Sequence, residues 1–266
     1  MKTYTARELE QLLLADIPAA WAEEWDNVGL LVGDGRAPVR RVLAALEVTE
    51  AVIQEAQAVD AQLILTHHPV IFKGVKRLSP QDPQGELAFA LARAGLSVIS
   101  LHTNWDAAPG GTNDALAGVL GVSRLQPFSA GEAQPIGRVG QIIPSTLGAF
   151  AAHVKGALGS RHFLVVGDPA RSVGRVALCG GEGSDFLLAA RDQGADALVT
   201  GEMKYHTLLL AEQLGLAVVV AGHYETEAPG LAALIVHLQK RLDTVNYNRI
   251  EIMPSQRSRA PYWALA

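Results

Sequence analysis

RRVLAALEVTEAVIQEAQAVDAQLILTHHP, residues 40–69, is the stretch that decides the fold. Short runs of apolar and β-branched residues stand at both of its ends, and the segment between them has the apolar spacing of a helix. The order strand, helix, strand returns in the second half of the chain, in residues 174–202, GRVALCGGEGSDFLLAARDQGADALVTGE. Strands that alternate with helices in this way predict an α/β fold with mostly parallel sheets.

The two halves of the chain also resemble each other in spacing. An offset of 134 residues, the distance from Arg41 to Arg175, places the helical segment 49–59 on residues 183–193 without a gap. Further along, each half ends a strand with a histidine, three residues and a carboxylate. We interpret this likeness as a diverged internal duplication, which would produce two similar α/β domains whose strand ends face a central metal cleft.

A stretch rich in proline and glycine, residues 123–140, lies between the halves and predicts a domain boundary. We expect a first α/β domain of residues 1–126 plus 222–266 and a second α/β domain of residues 127–221. The C-terminal stretch 250–266 has no helical period, so we expect it to form a strand followed by an extended end.

Composition and charge exclude several classes of protein. The 266 residues carry a net charge of −5 and a single cysteine, Cys179. One cysteine excludes a disulfide framework and a cysteine-rich metal site, and the acidic balance argues against nucleic acid as a partner. No apolar run approaches the roughly 18 to 20 residues of a membrane span, and the N-terminus has the pattern of a capped helix, not of an export signal. We therefore expect a cytoplasmic protein with no membrane partner, in which nitrogen and oxygen atoms hold any metal.

Two adjacent histidines, His67 and His68, end an apolar run, and Pro69 follows them. Proline ends the strand there and places both imidazoles at the carboxyl edge of the sheet, where open α/β sheets bind ligands. A lone histidine at such a place more often caps a helix or satisfies a carbonyl group, but the doublet and the two His-x-x-x-carboxylate pairs favour metal binding. Because neighbouring side chains on a regular strand point to opposite faces, the two histidines could each serve a different ion, and the sequence does not decide which ion each would serve.

Six candidate ligands are more than one tetrahedral site needs. They are His67, His68, His102, Asp106, His223 and Glu227. Two divalent ions about 3.5 to 4 Å apart, bridged by carboxylates and by water or hydroxide, would use them. Imidazole and carboxylate donors suit zinc, iron, manganese, cobalt or nickel, and the sequence does not choose among these metals.

Five motifs in this chain occur in the same order as in a known family. They are WDNVGLLVGD (25–34), LTHHPVIFKG (65–74), LHTNWDAAPGGTNDALA (101–117), TGEMKYH (200–206) and GHYETE (222–227). With these motifs the chain resembles the Nif-three-like dinuclear-metal-centre proteins, which are often labelled GTP cyclohydrolase type 2 homologues. The resemblance covers nearly the whole chain, and the five motifs together make it specific.

The resemblance implies a cytoplasmic, toroidal homohexamer, a trimer of dimers, with the metal pairs facing an internal cavity. The metal ligands that it implies are His67, His68, Asp106, His223 and Glu227. The two carboxylates would bridge the ions, and His102 would orient a ligand or relay a proton from just outside the metal centre. The resemblance also implies that Asp26 and Asn27 approach the cavity.

Three residues are candidates for catalysis, namely His102, Lys204 and His206. Lys204 and His206 follow the strand that corresponds to the one before the histidine doublet. They would contact an anionic or nucleotide-like small molecule or act as a general acid. The alternative for both is an ordinary solvated loop.

The sequence leaves more than one function open. We expect a metal-dependent hydrolase in which a metal-bridging hydroxide attacks the substrate. GTP as the substrate rests on the family label alone, because no guanine pocket is evident in the sequence. The alternative is a protein that binds, delivers or senses metal without turnover, and a third reading is a scaffold whose metals hold the domains together.

Overall fold

The computed structural model describes residues 4–131, 134–245 and 250–262 of the chain. Helices and strands alternate along it, so the predicted α/β class is confirmed. The helices are α1 (Ala6–Leu14), α2 (Glu50–Ala58), α3 (Glu86–Ala94), α4 (Thr103–Ala107), α5 (Thr112–Leu120), α6 (Leu147–Leu158), α7 (Leu187–Asp192), α8 (Tyr205–Leu214) and α9 (His223–Thr244). The strands are β1 (Gly29–Val32), β2 (Arg41–Ala45), β3 (Leu63–Thr66), β4 (Ser97–Ser100), β5 (Ser123–Phe128), β6 (Gly137–Thr146), β7 (Leu164–Val166), β8 (Ser172–Glu182), β9 (Ala197–Glu202), β10 (Ala217–Val220) and β11 (Glu251–Pro254). Within the three described stretches, no helix is both long and apolar enough to cross a membrane.

The chain forms two compact units. The first comprises Met1–Trp105 and Leu231–Arg259, and the second comprises Asp106–Gly230 and Ala260–Ala266. The chain therefore enters the second unit at Asp106 and returns to the first at Leu231. The boundaries expected from the sequence differ, because they placed the entry after residue 126 and the return at residue 222. Both crossings lie inside helices, α4 and α9, and a boundary inside a helix leaves no composition signal.

The first unit contains a five-stranded sheet in the order β1-β4-β3-β2-β11. β11, β2, β3 and β4 are parallel neighbours, and β1 pairs antiparallel with β4. Buried apolar side chains such as Leu43, Ile64 and Val98 form the core against α2 and α3. The hydroxyl of Thr49 accepts a hydrogen bond from the Val52 amide and so caps α2, the crossover between β2 and β3. β11 is the strand predicted in the C-terminal stretch.

The second unit contains a six-stranded sheet in the order β5-β6-β8-β9-β10-β7. β8, β9 and β10 are parallel, whereas β5, β6 and β7 pair antiparallel with their neighbours. This sheet is therefore mixed, where the sequence predicted mostly parallel pairing.

Residues 123–128 and 137–140 are part of the second sheet, so these described parts of the stretch do not separate domains. They contain β5 and the start of β6, which pair antiparallel. A Cβ atom added at Gly137 would lie 2.5 Å from the Phe128 ring, and one added at Gly140 would lie 2.5 Å from the Ser123 carbonyl oxygen. These glycines allow close packing in the sheet, although in the sequence they have the appearance of linker residues.

The pairing registers of the two sheets agree with the offset of 134 residues. Val42 lies opposite Leu63 in the first unit. Their counterparts at that offset, Val176 and Ala197, lie opposite each other in the second. In each unit a third parallel strand follows, and an antiparallel strand, β1 or β7, covers its outer edge. The two units share this topology, while the duplication itself stays a prediction.

Candidate metal centre

Three histidines gather at one edge of the first sheet. β3 ends at Thr66 and β4 ends at Ser100, and these two residues are paired in parallel register. His67 and His68 therefore leave the sheet at the same edge as His102, which follows β4 by two residues. This is the carboxyl edge, where the sequence placed them and where ligands usually bind.

The three imidazole rings lie close together. Their ring centroids are 5.1 Å apart for His67 and His68, 5.1 Å for His67 and His102, and 5.5 Å for His68 and His102. Each ring offers one nitrogen atom, and these atoms lie within 4.8 Å of one another. The sequence assigned His67 and His68 to opposite faces of a regular strand, but the strand ends one residue earlier, so both rings turn toward the same place. His102 belongs to the same group, although the resemblance implied a position outside the ligand set.

A hydrogen bond determines which nitrogen atom of His67 could bind a metal ion. Its Nδ1 donates to the carbonyl oxygen of Leu101 at 3.0 Å, because a carbonyl oxygen can only accept. The tautomer that makes this bond carries its lone pair on Nε2, the atom a metal ion requires. The ring is 1% exposed, so its orientation is fixed by packing as well.

Asp26 holds His102 in the same way. The Nδ1 atom of His102 donates to Asp26 Oδ1 at 2.9 Å, and the Thr103 amide donates to Asp26 Oδ2 at 3.0 Å. The carboxylate is completely inaccessible to solvent. Burial alone would raise the pKa of Asp26, but the hydrogen bonds from His102 and Thr103 and the charge of His102 lower it to about 2. Asp26 is therefore ionised at neutral pH, and it orients the His102 ring.

Glu47, which no sequence pattern singled out, lies beside the doublet. Its Oε2 atom is 3.5 Å from the Nδ1 atom of His68. Glu47 follows β2 by two residues, at the same edge of the sheet as the histidines. A search for polar residues after every parallel strand, and not only after β3 and β4, would have found it.

In the second unit, His223 and Glu227 form a pair at the start of α9. His223 is the first residue of the helix, and Glu227 lies one turn later on the same face. The Nε2 atom of His223 is 3.1 Å from Glu227 Oε1, and its Nδ1 atom is 3.5 Å from Glu202 Oε2. Glu202 ends β9.

Gly181 makes room for this pair. It has a φ of +65°, and an added Cβ atom would lie 2.4 Å from Glu227 Oε1 and 3.3 Å from His223 Nε2. Both the backbone conformation and the space therefore require glycine. Gly181 lies within β8, and nothing in the sequence connects it with the histidine and carboxylate of α9.

Asp106 lies in α4, within electrostatic reach of the buried Cys179. Burial raises the pKa of the Cys179 thiol well above its usual range, and the charges of Asp106 and Glu227 raise it further. The thiol therefore keeps its proton. That nitrogen and oxygen atoms hold the metal stays a prediction from the sequence.

Lys204 and His206 are exposed at the start of α8. The Lys204 amide donates to Ser184 Oγ at 2.9 Å, and the His206 ring lies 5.6 Å from the Tyr205 ring. Their catalytic role stays a prediction, as does the role of His102 in proton transfer.

Comparisons with known proteins place the chain in a family. The family model described as Duf34/NIF3 (NGG1p interacting factor 3) matches residues 4–261. The GTP cyclohydrolase 1 type 2 homolog of Clostridium perfringens is 32% identical over 255 residues, which cover 94% of this chain and 96% of that protein. A hypothetical protein of Staphylococcus aureus has a similar structure, with a TM-score of 0.92 at 29% identity, covering 99% of this chain and 100% of that one. A Bacillus cereus protein related to NIF3 has a TM-score of 0.91 at 26% identity, with 100% of both chains covered. A match over nearly the full length in sequence and in structure shows that this chain belongs to the Duf34/NIF3 family.

Proposed function

We propose that this protein is a metal-dependent hydrolase that holds two divalent ions per chain. The ligands that we assign are His67, His68, Asp106, His223 and Glu227. The observation that carries the proposal is the convergence of nitrogen atoms of His67, His68 and His102 within 4.8 Å at the carboxyl edge of the first sheet, of which we assign the first two histidines to metal and the third to proton transfer. The name of the Clostridium perfringens relative, GTP cyclohydrolase 1 type 2 homolog, supports a hydrolase that acts on a nucleotide.

The donor atoms fit a divalent transition metal or zinc. His67 directs the lone pair of Nε2 away from its hydrogen bond with Leu101, and Glu227 lies 3.1 Å from His223 on one helical face. Imidazole and carboxylate without thiolate suit zinc, iron, manganese, cobalt and nickel. Bound divalent ions would polarise a substrate oxygen and lower the pKa of a water molecule toward about 7.

We assign proton transfer to His102. Its Nδ1 atom is committed to Asp26 at 2.9 Å, so Nε2 is the atom that exchanges a proton with the substrate. The buried carboxylate of Asp26 fixes the ring and balances the positive charge that the ring gains when Nε2 takes a proton. Lys204 and His206, both exposed, are assigned to an anionic group of the substrate.

Metal content tests the first part of the proposal. Protein purified without chelator or affinity metal, and then incubated with zinc, manganese or iron, is expected to hold close to two ions per chain by plasma mass spectrometry. His68→Ala and Asp106→Ala are expected to lower this value. His153→Ala, an exposed histidine whose Nε2 atom lies 3.3 Å from the Leu120 carbonyl oxygen, is the matched control and should leave it unchanged. Absence of bound metal after all three incubations would refute the metal centre.

Turnover separates a hydrolase from a protein that only carries or senses metal. The loaded protein is expected to hydrolyse GTP or a phosphodiester, and Asp106→Ala should abolish this activity while circular dichroism shows a retained fold. Tight metal binding without turnover across a broad panel of nucleotides, phosphate esters and amides would contradict the hydrolase and support metal delivery or sensing.

We also propose the toroidal homohexamer that the family resemblance implies. Light scattering is expected to give six times the 28.2 kDa mass of the chain. A mass equal to that of the single chain would overturn this assembly. If removal of metal dissociates the hexamer and no turnover is found, the metals stabilise the assembly and take no part in a reaction.

A further inference from the structure

We propose that Trp25 and Phe72 form a stacking platform for a planar aromatic ring of a substrate that also carries an anionic group. The platform is defined as these two side chains, which lie beside His102 in the first unit. The inference rests on the proposed function, because it names the part of the substrate that would be held next to the reacting groups.

The two rings are exposed, although each contacts other rings. Trp25 is 57% exposed and Phe72 is 45% exposed. Their ring centroids are 5.5 Å apart, and the centroid of His102 lies 5.9 Å from Trp25 and 6.1 Å from Phe72. Single exposed apolar residues are common on protein surfaces, but two exposed aromatic rings against a candidate catalytic histidine form a small apolar patch at a polar site.

Polar neighbours fix both sides of the platform. Asp26, next to Trp25 in the chain, is buried and accepts hydrogen bonds from His102 and Thr103. Asn27 donates from Nδ2 to the carbonyl oxygen of Ile71 at 2.6 Å, and Ile71 directly precedes Phe72. Two consecutive polar residues thus tie the Trp25 segment to the histidine group and to the Phe72 segment. The platform is held in place before any ligand arrives, which reduces the entropy lost on binding.

These contacts give the motif WDN, residues 25–27, a role beyond that of a turn. In the sequence its residues stand between a helix and a strand, where a structural role would suffice. In the structure Asp26 makes a hydrogen bond to His102, 76 residues away, and Asn27 makes one to Ile71, 44 residues away. The large apolar ring of Trp25 remains in contact with water. A turn alone would not need an exposed indole at this position.

The charge around the platform selects among ligands that bind aromatic rings. An aromatic face attracts either a planar ring or a cation. The loop that begins with Phe72 exposes Lys73, Lys76 and Arg77 and has no acidic residue between Phe72 and Arg77. This positive charge lies on the Phe72 side of the platform, where it attracts an anionic group, while Glu23 and the exposed Glu24 precede Trp25 on the other side. The platform therefore fits a planar heterocycle that carries a phosphate or carboxylate group.

Isothermal titration calorimetry with four probes tests the proposal. GMP, UMP and FMN carry planar rings of different sizes with a phosphate, and ribose 5-phosphate carries the phosphate without a ring. At least one ring probe is expected to bind about tenfold more tightly than ribose 5-phosphate, because stacking on an aromatic side chain typically contributes about that much. Trp25→Ala should remove this advantage. Trp25→Phe should retain most of it. Leu78→Ala, which shortens a 62% exposed apolar side chain on the same loop, is the matched control and should change nothing.

Three results would overturn the platform. The first is that no ring probe binds more tightly than ribose 5-phosphate, and the second is that Trp25→Ala and wild type bind the ring probes equally. The third is that Trp25→Ala and Phe72→Ala change the mass in light scattering while ring binding stays the same, which would assign the rings to a contact between subunits. Titration of both metal-loaded and chelator-treated protein separates this failure from failure of the proposed function. A protein that holds two ions but ignores the ring refutes the platform alone, and a protein without metal that still binds the ring through Trp25 refutes the metal centre alone.

Discussion

Replacement of Gly181 by alanine tests whether Glu227 is a metal ligand. Gly181 has a φ of +65°, in the left-handed region, where a Cβ atom costs about 1 to 2 kcal/mol. The added Cβ atom would also lie 2.4 Å from Glu227 Oε1, so this oxygen must retreat by roughly 1 Å to reach van der Waals contact. The oxygen is the end of a flexible side chain, and its displacement should add little to the loss of folding stability.

The metal site is expected to tolerate the displacement far less. Metal–ligand distances are typically held to within about 0.2 Å, and a shift of roughly 1 Å moves the carboxylate out of range. We expect metal affinity to fall at least about tenfold in Gly181→Ala, comparable to the loss of a residue that positions a ligand.

Gly194→Ala is the matched control. Gly194 lies in the same unit with a φ of +70°, and an added Cβ atom there has no neighbour within 4 Å. The two variants should therefore lose a similar free energy of unfolding in urea, while only Gly181→Ala loses metal in a competition titration against a chromogenic chelator. Equal metal affinity in the two variants would refute the assignment of Glu227 as a ligand.

Three further outcomes are expected. Burial raises the pKa of Asp26, but hydrogen bonds from His102 and Thr103 bring it to about 2 from an ordinary 3.8; Asp26→Asn should therefore lower the free energy of unfolding by roughly 2 kcal/mol at neutral pH. Because a lowered carboxyl pKa stabilises the fold above the unfolded value, this difference should disappear as the pH falls through about 4 toward 2, as urea titrations at several pH values will show. Burial and the hydrogen bond to Glu225 raise the pKa of Tyr262 to about 12. The protonated phenol therefore stabilises the fold fully below about pH 10, and this stabilisation is lost as the pH rises through about 12. Tyr262→Phe should remove one phenolate absorbance step near pH 12. Ile64→Ala, at a completely buried core position, should cost about 2 to 5 kcal/mol in urea unfolding, whereas the 43% exposed Val119→Ala should stay within about 0.5 kcal/mol.

The sequence predicted well what depends on periodicity and on strand ends. The α/β class follows from alternating apolar runs, and the capped helix predicted at the N-terminus is confirmed by reciprocal hydrogen bonds between Thr5 and Glu8. The convergence of His102 with the doublet at one edge follows from parallel strands, whose carboxyl ends lie side by side. These features depend on rules that act over a few residues or on a regular sheet.

Features that depend on contacts distant in sequence could not be predicted. Asp26 and His102 are separated by 76 residues, and no local pattern connects them. Gly181 is explained only by Glu227, which approaches it from another element. Gly137 and Gly140 give their stretch the composition of a linker, yet in the structure they allow β5 and β6 to pack closely. In each case the cause is the shape of the space around the residue, which a single sequence does not contain.

The shared register of the two sheets has a consequence for folding. A strand from one half could form the same backbone hydrogen bonds in the sheet of the other half, because the pairing partners stand at the same offset. The volumes of its side chains would not fit there. Leu43 and Ala44 in the first unit correspond to Ala177 and Leu178 in the second, and all four are buried.

Because successive side chains on a strand point to opposite faces, this exchange of large and small reverses which face is bulky. A strand taken from the wrong half would press leucine into a space made for alanine on one face, which costs about 1 to 3 kcal/mol, and leave a void on the other, which costs about 2 to 5 kcal/mol. Misassembly between like segments is a characteristic failure of repeated architectures. Here the different side-chain volumes of the corresponding strands disfavour the pairing of a strand with the wrong half.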